Sequence, residues 1–130
     1  MIPADLADVL ERAFALRRPT FAAEAGLHDR IAAELADVHL QVLREFRLDA
    51  RSRLDLFVRP AHSRPGTPGL AVEVKTAGGL PAISRQLLRY AEHAEVSGIL
   101  LVTTRSAHKN LPEDLLGKPC HVLYIGGYLL

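Results

Sequence analysis

The stretch LAVEVKT at residues 70–76 places two opposite charges, Glu73 and Lys75, among strand-forming residues. Successive side chains of a β-strand point to opposite faces, so these two charges share one face. Val72 and Val74 point to the other face, where they can pack against a helix. The pattern predicts a strand that is apolar on one side and gathers its charges on the other.

A second carboxylate, Asp55, stands alone in the preceding apolar run RLDLFV at residues 53–58. If the two strands pair, Asp55, Glu73 and Lys75 converge at one place on the sheet. Neighbouring carboxylates repel each other, and burying charge is costly unless the charge is compensated. A divalent cation removes that repulsion, and Mg²⁺ prefers the oxygen ligands that Asp and Glu supply. The two strands therefore predict a Mg²⁺ site, at which Mn²⁺ is expected to substitute.

Hydrophobic periodicity and turn residues divide the rest of the chain. Thr20 can cap the second helix, Pro81 suits the start of the third, and residues 59–69 form a loop with three prolines and two glycines. The predicted helices cover residues 3–17, 20–39, 81–96 and 111–116, and the predicted strands cover residues 41–48, 53–58, 70–76, 98–104 and 121–125. The order ααβββαβαβ predicts an α/β fold with a mixed central sheet flanked by helices.

Length and composition indicate one globular domain, because 130 residues with 48% hydrophobic and 24% charged is ordinary for that class. A formal net charge of +1 gives no overall attraction to nucleic acid, so DNA binding would depend on local basic clusters. The single Cys120 allows no internal disulfide, which fits a reducing compartment. No apolar run is long enough to span a membrane, and Asp5 and Asp8 lie where a signal peptide would be basic. We expect a soluble, cytoplasmic protein with no membrane partner.

At Asp55 and at the tripeptide Glu73-Val74-Lys75 the sequence resembles the PD-(D/E)XK nuclease superfamily, whose fold is restriction endonuclease-like. The resemblance covers residues 21–104, most of the chain. It implies an αβββαβ core within residues 20–104, preceded by a helical extension at residues 1–19 and followed by a helix and a strand at residues 105–130. Leu54 stands where the eponymous proline would be, as in many members.

Gln86 and Tyr90, on the next predicted helix, reproduce the Gln-x-x-x-Tyr element of RecB-like members of that superfamily. Residues four apart lie on one helical face, so both polar groups can reach the same site. The resemblance implies that they position the backbone or Lys75. Taken alone, the pair is better explained by Gln86 as a surface residue and Tyr90 as an aromatic at the edge of the core with a solvated hydroxyl.

The resemblance also implies an acidic residue in the helix before the first core strand. That predicted helix carries an apolar stripe of Leu27, Ile31, Leu35 and Val38. Glu24 lies about 25° from the mean direction of the stripe and Glu34 about 55° from it. We prefer Glu24 as the additional metal ligand, although an acid at a helix N-terminus is also stabilised by the helix dipole alone.

The function implied by the resemblance is metal-dependent hydrolysis of phosphodiester bonds by an endonuclease, with DNA as the expected substrate. Asp55, Glu73 and the Val74 carbonyl would ligate Mg²⁺, which polarises the phosphate and lowers the pKa of a bound water. Lys75 would orient that water and stabilise the charge that develops on the phosphate. A non-catalytic alternative is a cross-strand ion pair between Asp55 and Lys75, with Glu73 solvated.

Three basic residues, Arg53, Arg85 and Arg89, lie in positions from which they could hold DNA phosphates. The alternative is a solvated helix face with an ion pair between Arg89 and Glu92. Homodimeric Holliday junction resolvases of the superfamily act on branched DNA, but such enzymes usually have a more basic surface than this composition predicts. Repair, recombination, or the processing of mobile-element or phage DNA within a complex are further uses. A non-catalytic nucleic-acid-binding or structural module is the alternative function.

Self-association is the last expectation from the sequence. The first helix exceeds what the superfamily core needs, and the segment YIGGYLL ends in Tyr128, Leu129 and Leu130. Apolar residues in such a position predict a surface that covers them, most simply in a twofold homodimer or with a partner protein. Within one chain, the alternative is a tail that folds back onto the sheet and a first helix that covers one sheet face.

Overall fold

The computed structural model of the protein describes residues 1–20 and 24–128. Within these residues the chain forms three α-helices, six β-strands and two short 3₁₀ turns. The helices are α1 (Pro3–Leu16), α2 (Glu24–Leu35) and α3 (Leu80–Ala91), and the strands are β1 (Leu40–Arg47), β2 (Arg53–Pro60), β3 (Gly69–Lys75), β4 (Val96–Thr103), β5 (Asp114–Leu115) and β6 (Lys118–Tyr124). The 3₁₀ turns cover Ser106–Asn110 and Gly126–Tyr128.

The six strands form one mixed sheet in the order β1-β2-β3-β4-β6-β5. The first three strands are joined by antiparallel pairing, because short connections link them. β3, β4 and β6 run parallel to one another, and α3 makes the crossover between β3 and β4. The predicted single-domain α/β fold with a mixed sheet and flanking helices is confirmed at this level.

Each face of the sheet carries its own apolar core, as the alternation of side chains along the strands requires. α1 and α2 cover the face to which Val72 and Val74 point. α3 covers the opposite face, to which Ala71 points. The assignment of faces made from LAVEVKT is therefore confirmed, and the charges of β3 belong to the α3 side.

α1 is an integral part of the first core. Its residues Leu6, Leu10 and Phe14 are buried at a spacing of four, which is one face of a helix. Pro3 opens the helix and approaches β4 at Gly98, where a Cβ would come within 3.0 Å of the proline ring. The apolar face of this helix is covered by its own chain, which is the intramolecular arrangement considered for it.

Both long predicted helices end earlier than the periodicity suggested. α2 ends at Leu35, and Val38, which we assigned to its apolar stripe, is 84% exposed. The carboxylate of Asp37 accepts a hydrogen bond from the amide of His39 (2.8 Å), which turns the chain away from the helix. α3 ends at Ala91 because Val96 is the first residue of β4. Thr20, the predicted cap of the second helix, is not helical, and residues 21–23 lie outside the described residues.

The predicted helix at residues 111–116 is wrong. The chain forms the 3₁₀ turn Ser106–Asn110 and then the short strand β5, which makes a hairpin with β6. Leu116 and Gly117 connect the two strands with positive φ angles of 54° and 81°. Two such residues in sequence form the type of turn that joins hairpin strands. The predicted order ααβββαβαβ is therefore corrected to ααβββαβββ.

The loop between β2 and β3 is shorter than predicted, because Arg59 and Pro60 belong to β2 and Gly69 to β3. Arg59 stabilises this loop, since its guanidinium donates to the side chain of Gln41 (2.6 Å) and to the carbonyl of Thr67 (3.4 Å).

Among the described residues, none of the helices is both long and apolar enough to cross a membrane.

Candidate metal centre

The candidate site lies where β2 and β3 separate. Regular antiparallel pairing of the two strands ends at Leu56 and Val72. Beyond that pair, the amide of Asp55 donates to Oε1 of Glu73 (2.9 Å), and the amide of Val74 donates to Oδ2 of Asp55 (2.8 Å). Each carboxylate thus takes the place of a ladder hydrogen bond and satisfies an amide of the opposite strand. The predicted convergence of Asp55 and Glu73 is present.

β2 also loses its regular alternation at this point. Leu54 and Leu56 are two residues apart, yet Leu54 packs in the core beneath α3 and Leu56 in the core beneath α1 and α2. Side chains at that spacing share a face in a regular strand. Because the backbone rotates at Asp55, this carboxylate is accessible to residues from both sides of the sheet.

Glu73 is the most deeply buried acid of the site, with 1% of its surface exposed. Burial raises the pKa of Glu73 to about 8, and the negative charge of Asp55 adds to the rise. The hydrogen bond from the Asp55 amide and the charge of Lys75 act in the opposite direction. The ammonium of Lys75 lies 3.9 Å from Oε2 of Glu73 and its side chain is 25% exposed. Two neighbouring acids, of which only Glu73 is shown beside a partly exposed cation, favour binding of a further positive charge.

Of the two acids considered on α2, only Glu24 is placed at the site. Its Oε1 accepts a hydrogen bond from the amide of Thr76 (3.2 Å), directly after β3. Glu34 instead pairs with Arg30 on its own helix (2.8 Å). The angular argument for Glu24 therefore selected the acid that contacts the end of β3.

His28, which lies one turn after Glu24 on α2, was not predicted as a site residue. Its Nε2 is 3.6 Å from Oδ2 of Asp55 and 3.8 Å from Oε2 of Glu24. That nitrogen is buried and has no hydrogen-bond partner among the described residues. The available signal was the spacing of four residues from Glu24, which places His28 on the same helical face.

Glu45 on β1 was missed as well. It lies opposite Asp55, in a gap of the otherwise regular β1–β2 ladder, and has a positive φ of 53°. Glu45, His28 and Asp55 each offer one ligand atom, and these atoms lie within 4.8 Å of one another. Oε2 of Glu45 also pairs with the guanidinium of Arg53 (3.1 Å). A left-handed glutamate within a strand has no sequence signal, since few residues other than glycine favour that conformation.

Gln86 and Tyr90 act together on α3. The amide of Gln86 donates to the hydroxyl of Tyr90 (2.7 Å), which donates to the carbonyl of Arg53 (3.1 Å). Burial is the main reason that the pKa of Tyr90 is raised, and the charge of Glu73 adds to it. Of the two roles predicted for this pair, the structure shows contact with the backbone of β2. Through the Tyr90 hydroxyl the pair is bonded to the strand residue two positions before Asp55.

The three arginines predicted to hold phosphates differ in their surroundings. Arg53 is engaged by Glu45, as described above. Arg85 and Arg89 are exposed on α3, and neither forms an ion pair with an acid in the part of the chain that the structure describes. The predicted pair between Arg89 and Glu92 is absent there. Of these three, Arg85 and Arg89 are therefore the ones without an acidic partner among the described residues.

Two observations favour a cation beside Asp55, where the converging ligand atoms belong to His28, Glu45 and Asp55. Asp55 and Glu73 are like-charged groups in contact, one of them fully buried, and such a pair is relieved by a cation. The orphaned Nε2 of His28 lies beside the same carboxylate. The contribution of the Val74 carbonyl remains a prediction.

Comparisons with known proteins found no relative. No family model, no curated protein and no solved structure matches the chain.

Proposed function

We propose that this protein is a Mg²⁺-dependent nuclease of the PD-(D/E)XK type that hydrolyses phosphodiester bonds, with DNA as its substrate. The observation that carries the proposal is a pair of hydrogen bonds across the separated ends of β2 and β3, from the Asp55 amide to Glu73 and from the Val74 amide to Asp55. Lys75 lies beside Glu73. Mn²⁺ is expected to replace Mg²⁺.

The order of elements from α2 to β4 supports the proposal. It is αβββαβ, the core order that the resemblance implies, and it places Asp55 on the second core strand and Glu73 and Lys75 on the third. α3 follows directly and contributes Gln86 and Tyr90. This order of elements is the support that the fold lends to the proposal.

Asp55 and Glu73 would hold the cation, together with the Val74 carbonyl and with Glu24 from α2. The bound cation would polarise a phosphate oxygen and lower the pKa of a water. The protein's own contribution begins with Lys75, whose partly exposed ammonium can donate to a phosphate oxygen or orient the attacking water. The Asp55 amide holds one oxygen of Glu73 in place.

Gln86 and Tyr90 would act through the backbone. By bonding to the Arg53 carbonyl they hold the β2 segment that immediately precedes Asp55. Arg85 and Arg89, both exposed on α3, would contact phosphates of the DNA. Because the net charge is only +1, these contacts are few, and a complex that supplies further DNA contacts is the expected setting. Repair, recombination, and mobile-element or phage DNA processing are the candidate pathways.

The proposal is tested with supercoiled, linear, single-stranded and four-way-junction DNA, each incubated with Mg²⁺, Mn²⁺ or EDTA. We expect metal-dependent cleavage by the wild-type protein. The substitutions Asp55→Asn, Glu73→Gln and Lys75→Met should each reduce the rate by about 100-fold or more, the usual effect of removing a group that stabilises developing charge. The amides retain the size and the hydrogen-bond acceptors of the acids that they replace.

The matched control is Asp29→Asn, an exposed acid on α2 that neighbours His28 and pairs with Arg44. It should cleave at the wild-type rate, since an exposed ion pair contributes little to stability. Wild-type cleavage by any of the three site variants would remove that residue from the mechanism. No cleavage of any substrate by a protein that binds the cation would favour the non-catalytic module.

A further inference from the structure

His108 is a fully buried histidine that has no part in the proposed function. It lies in the 3₁₀ turn Ser106–Asn110, directly after β4. Both ring nitrogens are nevertheless bonded, since Nδ1 lies 2.6 Å from the hydroxyl oxygen of Thr103 and Nε2 lies 2.9 Å from the carbonyl oxygen of Gly78. Thr103 is also fully buried and is the last residue of β4. A buried polar network is rigid when each of its members is satisfied, as here.

The hydrogen-bond partners determine which ring nitrogen carries the proton. A carbonyl oxygen can only accept, so Nε2 of His108 donates to Gly78. The hydroxyl oxygen of Thr103 accepts the amide of Arg105 (3.0 Å), and its own proton can be donated to Nδ1. These bonds fix the tautomer and the orientation of the ring, and they direct its N–H at a single backbone carbonyl.

That carbonyl belongs to the connection between the strand of the site and the next helix. Residues 76–79 lead from Lys75, the last residue of β3, to the start of α3. Gly78 has a positive φ of 97° and is followed by Gly79. Glycine restricts the backbone less than any other residue, so such a connection keeps one conformation only where other groups hold it.

Three hydrogen bonds hold this connection. The amide of Thr104 donates to the carbonyl of Lys75 (3.1 Å), and the amide of Thr76 donates to Glu24 (3.2 Å). The third bond is the one from His108, and it lies at the glycine end of the connection. Without it, the chain that follows Lys75 is free to take other courses.

We propose that His108 is a positioning residue for Lys75. By holding the Gly78 carbonyl it fixes the course of the chain after β3, and thereby the place of the Lys75 ammonium beside Glu73. The inference rests on the proposed function, in which Lys75 acts on the phosphate or on the attacking water. His108 acts through the backbone, because a fully buried side chain does not meet the substrate.

Two substitutions separate the two hydrogen bonds of His108. In His108→Gln the side-chain amide can reach the Gly78 carbonyl, as Nε2 does, but Thr103 loses its acceptor. In His108→Asn the shorter side chain keeps an acceptor for Thr103 and loses the contact with Gly78. Each variant lacks one buried hydrogen bond, so a purely structural role predicts similar effects of both. A positioning role predicts that only His108→Asn impairs cleavage.

The first measurement is steady-state cleavage of DNA with Mg²⁺, after urea denaturation has shown that both variants are folded. We expect His108→Asn to lower kcat by about 10- to 100-fold with little change in KM, because a displaced reacting group slows the chemistry more than binding. His108→Gln should stay close to the wild type. The control is His121→Asn on β6, since His121 makes no side-chain hydrogen bond among the described residues. It should cleave at the wild-type rate.

Amide hydrogen exchange in EDTA tests the inference without cleavage. The amides of Thr76 and Thr104 bond to Glu24 and Lys75, so their exchange rates measure how firmly the end of β3 is held. Relative to amides at the centre of β4, both should exchange about fivefold faster or more in His108→Asn, the factor that corresponds to one lost hydrogen bond. His108→Gln should leave this ratio unchanged.

Equal behaviour of the two His108 variants, in kcat or in exchange, would overturn the inference. Wild-type values for His108→Asn in both measurements would do the same. Failure of the proposed function has a different signature: the wild type would cleave no DNA under any condition, while the difference in exchange between the two variants would still be observed.

Discussion

At the scale of single residues, Asp55 and Glu73 have two roles in conflict. Each accepts a backbone amide of the opposite strand, which stabilises the fold where the ladder is interrupted. Each also repels the other, and Glu73 is buried. An Asn or Gln side chain at either position keeps a hydrogen-bond acceptor and removes the negative charge. Such variants therefore test the effect of the charge while the hydrogen bond to the backbone is kept.

The raised pKa of Glu73 predicts a pH-dependent stability in the absence of metal. In the folded protein the pKa is about 8 against an ordinary value of 4.5, so the folded state binds the proton more tightly. The resulting stabilisation is complete below pH 4.5 and is lost as the pH rises through about 8. Glu73→Gln removes this dependence.

The measurement is the melting temperature of the wild type and of Glu73→Gln in EDTA at a series of pH values. The melting temperature of the variant should increase relative to that of the wild type as the pH rises between 4.5 and about 8. Mg²⁺ should then raise the wild-type melting temperature most at the alkaline end, because a ligand of the folded state stabilises it. A constant difference across the series would contradict the assignment.

At the scale of elements, α3 is tied to β2 through one hydroxyl. Tyr90→Phe removes the donor to the Arg53 carbonyl and the acceptor of the Gln86 amide. We expect a loss of about 1–2 kcal/mol in the free energy of unfolding, because buried polar groups lose their partners. Urea denaturation measures it. Cleavage should slow while the number of bound Mn²⁺ ions stays the same.

Tyr124→Phe is the control for Tyr90→Phe, since the Tyr124 hydroxyl makes no hydrogen bond among the described residues. Its stability should stay close to that of the wild type. If both variants unfold at the same urea concentration, Tyr90 has no positioning role.

α1 offers a second test at this scale. Leu10 is fully buried beneath the sheet, and Leu16 on the same helix is 90% exposed. Leu10→Ala should lower the free energy of unfolding by about 2–5 kcal/mol, the range for a buried leucine. Leu16→Ala should change it by less than about 0.5 kcal/mol. Equal effects in urea denaturation would show that α1 is not part of the core.

At the scale of the whole molecule, the twofold dimer remains a prediction. α1 buries its apolar face within its own chain, and Tyr128 packs edge-on against Phe14 with ring centroids 6.1 Å apart. The intramolecular arrangement thus accounts for two of the features from which the dimer was predicted. Leu129 and Leu130 lie outside the described residues.

Sedimentation equilibrium at micromolar concentrations decides the oligomeric state. The dimer predicts a species of twice the chain mass that persists on dilution. A single species at 14.2 kDa over the whole range would contradict it.

The sequence by itself determined the parts of the site that depend on local periodicity. Glu73 and Lys75 share a strand face because side chains alternate, and Gln86 and Tyr90 are neighbours because they are four apart on a helix. The apolar stripe of α2 likewise selected Glu24 over Glu34. These relations hold within one element, so they can be deduced before the fold is known.

Only the tertiary structure decided what happens between elements. The separation of β2 from β3, the rotation at Asp55 and the left-handed Glu45 follow from how whole strands pack, and no short window of sequence encodes them. His28 reaches Asp55 because α2 crosses the sheet at that point. The hairpin of β5 and β6 was missed for the same reason, since pairing with a neighbouring strand overrode a local preference for helix.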